Sequence, residues 1–185
     1  TLNLKGGTIS NNTAAVLGGG IAVNGTGILT MDGGTISGNK APFGGGIGVV
    51  DYLTSTDGQR FGEARWRGFF PAAATINGGL ITGNEATMTA VTSQITDPNA
   101  ENGVGGGLYV ASKEVYVNGG QFTNNTAGKQ GGGIYVASVP YVLHMDKTLV
   151  TGNTATKLGG GMWLCPTGSA TTAVTNGASF FDNVA

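Results

Sequence analysis

Three observations predict an all-β fold for this sequence: a right-handed parallel β-helix with three short strands per coil, about six coils and two loop insertions. Triple glycines begin at Gly18, Gly44, Gly105, Gly131 and Gly159. An asparagine follows an apolar position by three residues at Asn12, Asn39, Asn84, Asn125, Asn153 and Asn183, with an alanine two residues on, at Ala14, Ala41, Ala86, Ala127, Ala155 and Ala185. Between these markers lie short runs in which apolar residues alternate with polar or small ones, and helical spacing is missing throughout.

The first run of each unit carries Leu2/Leu4, Leu29/Met31, Ala74/Ile76, Val115/Val117, Leu143/Met145 and Thr172/Val174. The second carries the apolar residue before the asparagine: Ile9, Ile36, Ile81, Phe122, Val150 and Phe180. The third carries Ile21/Val23, Ile47/Val49, Leu108/Val110, Ile134/Val136 and Met162/Leu164. Strands this short do not hold a sheet alone. Stacked one unit per turn, they form long parallel sheets around a shared core, with equivalent residues about 4.8 Å apart. Glycine permits the positive φ of a coil corner, asparagine tolerates the same region and can join a ladder of its own kind, and the alanine column suits a tight corner.

Asn39 and Asn84 are 45 residues apart where Asn12 and Asn39 are 27 apart, which puts 18 extra residues in an insertion at about residues 50–73. Asn84 precedes Gly105 by 21 residues where Asn12 precedes Gly18 by 6, which puts 15 more at about 87–104. Residues 1–185 read as one β-helix domain, and both ends fall inside the repeat, as in an internal fragment of a longer protein.

Composition narrows the function. With 36 glycines and 10% charged residues the chain is unusual, but its Ile, Val, Leu, Phe and Met alternate, which disordered glycine linkers do not do. A net charge of −1 gives no pull toward nucleic acid or a membrane surface, and no run of 18 apolar residues implies membrane insertion. The single cysteine, Cys165, leaves no internal disulfide, and no cysteine and histidine cluster suggests a metal. The stretch GGGIGV at 44–49 imitates a dinucleotide loop but lacks the helix that would offer its amides to phosphate, so no cofactor is expected.

The pairing of GGGI, at 18–21, 44–47 and 131–134, with FTNN at 122–125 and FFDN at 180–183 resembles the repeats of the polymorphic outer-membrane protein family of autotransporter adhesins. The other copies carry Ile or Val in place of that Phe. The resemblance implies a β-helical passenger region on a bacterial cell surface, secreted or surface-displayed. It also implies a structural or adhesive role, with a glycan or a host or matrix protein as partner.

Specificity is expected where the repeat is broken. The first insertion holds all three arginines, Arg60, Arg65 and Arg67, together with Phe61 and Trp66, the residue types enriched in binding anchors; the same aromatics could instead form a satellite core. In the third strand the residue between the two buried ones should point outward, and there Tyr109, Tyr135 and Trp163 make an aromatic column beside outward Tyr116 and His144 on the first strand. Such a column is either a ligand platform or a stabilising ladder under a cover.

The alternative function is a carbohydrate-active enzyme of the β-helix type, a polysaccharide lyase or glycoside hydrolase. It needs clustered carboxylates. Stacking brings Asp32, Asn77, Asn118 and Asp146 into one column, but its two acids are three coils apart, roughly 14 Å. The only histidine, His144, has no nucleophile placed beside it. The sequence thus leans against an enzyme, with no catalytic and no metal-ligating residue assigned.

Overall fold

The computed structural model describes residues 1–51, 72–89, 102–137, 141–165 and 171–185, with backbone alone for 171–175. Its strands form four parallel sheets. The first stacks Leu2–Leu4, Ile28–Met31, Ala73–Ile76, Glu114–Val117, Val142–Asp146 and Thr171–Thr175 in that order. The second stacks Thr8–Ser10, Thr35–Ser37, Leu80–Thr82, Gln121–Thr123, Leu149–Thr151 and Ser179–Phe181. The third stacks Ile21–Asn24, Ile47–Val50, Leu108–Ala111, Ile134–Val136 and Met162–Leu164. No helix occurs among the described residues, and the architecture is a parallel β-helix.

Register follows the repeat, pairing Leu4 with Met31, Met31 with Ile76, Ile76 with Val117 and Val117 with Met145. A slip of one residue would turn every apolar side chain outward, so the interior fixes this register. Met31, Ile36, Ile76, Ile81, Phe122, Ile134 and Val150 are fully buried in one continuous core.

The fourth sheet corrects the expectation of three strands per coil. It stacks the two-residue strands Lys40–Ala41, Glu85–Ala86, Thr126–Ala127 and Thr154–Ala155, with single bridges from Thr13 to Lys40 and from Thr154 to Val184. Two residues show no alternation, so the sequence reads as a bare corner where the backbone forms a ladder. Ala86, Ala127 and Ala155 form a small buried cluster of their own.

Next to this sheet runs the asparagine ladder. The backbone N–H and Nδ2 of each asparagine both donate to Oδ1 of the next, from Asn12 through Asn39, Asn84, Asn125 and Asn153 to Asn183, at 2.9 to 3.0 Å. Nδ2 also donates backward to a carbonyl of the preceding unit, from Asn84 to Ile36 O at 2.9 Å and from Asn125 to Ile81 O at 3.0 Å. Asn39, Asn84, Asn125 and Asn153 are buried, and each uses two donor hydrogens and an acceptor on one short arm; an aspartate carboxylate has no hydrogen to give and a serine hydroxyl has only one.

The left-handed turn belongs to the residue before the ladder. Asn11, Gly38, Gly83, Asn124, Gly152 and Asp182 have φ between 55° and 65°. These are the residue types that reach this region at least cost.

The triple glycine has three separate causes. Its first member, at Gly18, Gly44, Gly105, Gly131 and Gly159, has φ between 58° and 71°. A Cβ on the second would lie 2.5 Å from a corner-strand carbonyl, Glu85 O for Gly45 and Thr126 O for Gly106. A Cβ on the third would lie 3.1 Å from a ladder amide, Asn84 Nδ2 for Gly46 and Asn125 Nδ2 for Gly107. The coil is pinched here until opposite backbones touch.

Candidate binding surfaces

The five insertion candidates, Arg60, Phe61, Arg65, Trp66 and Arg67, lie outside the described residues. On either side of the insertion the strand pairing is regular: Val50 pairs with Ala111, and Ala73 pairs with Ile28 and Glu114. The root of the insertion is held inside the fold: Asp51 and Ala72 are fully buried, and Ser112 Oγ donates to Ala72 O at 2.7 Å.

Tyr109, Tyr135 and Trp163 do form a register column, as the alternation predicts. Tyr109 and Tyr135 stack with centroids 5.5 Å apart at 12°, and Phe43 meets Tyr109 edge-on at 5.4 Å. The outer surface expected for them is not free. Tyr109 and Tyr135 retain only 6% and 7% of their exposure, and Trp163 is half-buried against the core. On this sheet Ile47–Val50 and Leu108–Ala111 are buried on both faces.

Part of the reason is a second column, made by the residue before each triple glycine. Leu17, Phe43, Val104, Gln130 and Leu158 are bridged in series, and the first four are buried. Leu17 fills the space over Gly48, where a Cβ would overlap its Cδ1. Apolar residues at four of these five positions were the available signal, since the interior has no use for them there. Burial raises the Tyr109 hydroxyl pKa well above its ordinary value, and Tyr135, Tyr141 and Cys165 add to the effect.

The first sheet carries the open aromatic pair. Tyr116 and His144 pair in register and stack with centroids 4.8 Å apart at 9°. Tyr116 is 37% exposed, and its hydroxyl donates to Glu114 Oε2 at 3.2 Å. The Glu114 charge, then that hydrogen bond, then slight burial raise the Tyr116 pKa.

Beside the pair runs a solvent-facing polar column. Asn77 Nδ2 donates to Asp32 Oδ1 at 2.8 Å, and Asn118 Nδ2 donates to Asn77 Oδ1 at 2.9 Å. Asp146 ends this run, since its carboxylate has no hydrogen to give; its Oδ2 accepts from Asn176 Nδ2 at 3.4 Å. Asp32 and Asp146 are three strand steps apart in this register, about 14 Å, as the repeat predicts. Among the described residues no group of three or more His, Cys, Asp or Glu is placed to hold a metal.

Residues 119–137 match the family model of the Chlamydia polymorphic membrane protein repeat. The matched segment contains Phe122, the ladder Asn125, the triple glycine at 131–133 and the strand Ile134–Val136. The match agrees with the resemblance read from GGGI and FTNN, and this repeat points to a bacterial outer-membrane or surface protein. No curated protein and no solved structure matches the chain.

Proposed function

We propose that this chain is an adhesive module of a bacterial surface β-helix protein, which holds ligand-contacting side chains on a rigid stack and binds a glycan or a host or matrix protein. The observation that carries this reading is the division of labour within the repeat. Residues that recur in every unit are consumed by the core, the amide ladder and the pinched backbone, and the match at 119–137 falls on such a unit. Residues that do not recur face outward, among them Tyr116, His144 and Glu114. A solenoid of this kind positions surface groups at fixed intervals of about 4.8 Å and is suited to extended ligands.

The test is binding of the purified chain to a glycan array and to immobilised host matrix proteins. Trp66→Ala and Tyr116→Ala separate an insertion site from a sheet site. Saturable binding weakened by either substitution supports the reading. Absence of binding to both surfaces would overturn it. Release of reducing ends or unsaturated uronides from polysaccharides would replace it with the enzymatic alternative.

A further inference from the structure

The Tyr116 and His144 stack ends abruptly. Down the outward column of the first sheet the residues are Thr30, Thr75, Tyr116 and His144, one per strand, in register. His144 covers one face of the Tyr116 ring. The opposite face looks along the axis toward Thr75, whose side chain is too short to cover a phenol ring.

The result is a step: an aromatic wall above a floor made by Thr75 and Thr30, two strand spacings or about 10 Å long. One side of the floor is Asp32 hydrogen-bonded to Asn77, both exposed. The other side is Ile28, 47% exposed. Since Ile28, Asp32, Asn77 and Tyr116 all keep their exposure, the step is open to solvent.

We propose that this step is a subsite for a hexose unit of a neutral glycan; the proposal rests on the adhesive reading and gives it a place and a ligand class. A pyranose ring has one apolar C–H face and a rim of hydroxyls, each both donor and acceptor. The open face of Tyr116 takes the C–H face. The rim meets a mixed set: the Thr30 and Thr75 hydroxyls, the second Nδ2 hydrogen of Asn77, and Asp32 Oδ2, since Asn77 engages only Oδ1.

This mixture is what distinguishes a sugar from a cation, which would need acceptors alone. Asp32 and Glu114 flank the step with negative charge, which disfavours sulfated or uronic-acid chains. The length of the floor suits one or two sugar rings.

The test uses the whole 185-residue chain. Calorimetric titration with cellohexaose, xylohexaose, mannohexaose and chitohexaose, and with a heparin hexasaccharide as the acidic control, compares wild type with three variants. Thr75→Tyr continues the ring ladder over the floor and fills the step without cutting any core contact. Tyr116→Ala removes the wall, and His144→Ala removes only the ring behind it.

At least one neutral hexasaccharide is expected to bind, and heparin is not. Thr75→Tyr and Tyr116→Ala should each weaken binding about tenfold or more, with His144→Ala within about threefold. Thermal unfolding of Thr75→Tyr should match or exceed wild type, so loss of binding there is not loss of fold. Unchanged affinity in Thr75→Tyr, or preference for heparin, overturns the subsite. If no neutral hexasaccharide binds while wild type still adheres to matrix proteins, the subsite fails and the adhesive reading stands; if neither occurs, both fail.

Discussion

The pinched edge and the outer face of the first sheet are built from the same repeats yet obey different rules. At the edge, Asn39, Asn84, Asn125 and Asn153 occupy one position without exception and face glycines without exception. On the outer face the corresponding column runs Thr30, Thr75, Tyr116 and His144. Repetition is enforced where polar groups and backbones are sealed from water and each coil must satisfy the next. Where solvent accepts any side chain, the column is free to vary, and a ligand site can be placed there without endangering the stack.

The sharpest break of this contrast is Gly106→Ala. Its Cβ would lie 2.5 Å from Thr126 O, and a backbone carbonyl held in a ladder cannot move aside. We expect failure to fold or a loss of at least about 4 kcal/mol in guanidinium unfolding.

Asn84→Ala should cost about 3 kcal/mol by the same measurement, because the Asn39 N–H and Nδ2 lose their shared acceptor in a buried site. A cost below about 1 kcal/mol would show that the ladder is ornament to the core.

Alkaline titration probes the covered aromatic column. Burial keeps the Tyr109 hydroxyl protonated to higher pH than in the unfolded chain. Below the ordinary tyrosine value of 10.0 both states hold the proton and stability is unaffected; above it the unfolded chain ionises first, so stability falls as pH rises. Tyr109→Phe should therefore move the alkaline unfolding midpoint to higher pH.

Gly83 has φ of 61° with nothing within 4 Å of an added Cβ, so strain acts there without a clash. Gly83→Ala should cost about 1 kcal/mol, and Gly83→Asn within about 0.5 kcal/mol of wild type, since Asn11 and Asn124 already occupy this position. Smallest of all, His144→Ser on the open face should change stability by less than about 0.5 kcal/mol.

These differences also explain what was legible in advance. The core columns, the register and the amide ladder follow from spacing, because a buried periodic position leaves a periodic trace. The corner sheet left only its alanine column, with no alternation to mark a strand, since Lys40–Ala41 and its relatives are two residues long. Alternation places Tyr109 and Tyr135 outward on their strand, but outward is not the same as exposed: it reports which face of a strand a residue takes, and nothing about what packs on that face. Phe43, edge-on to Tyr109, was the clue to a second apolar layer.

By itself the sequence determined a β-helical stack, its strands and the ladder within it, because those depend on contacts between equivalent residues one repeat apart. Only the tertiary structure decided which aromatic column meets solvent, which glycine of each triplet faces which backbone, and where the left-handed residue sits. Those depend on packing between non-equivalent positions across the pinched coil and around its outside, and no period in the chain encodes them.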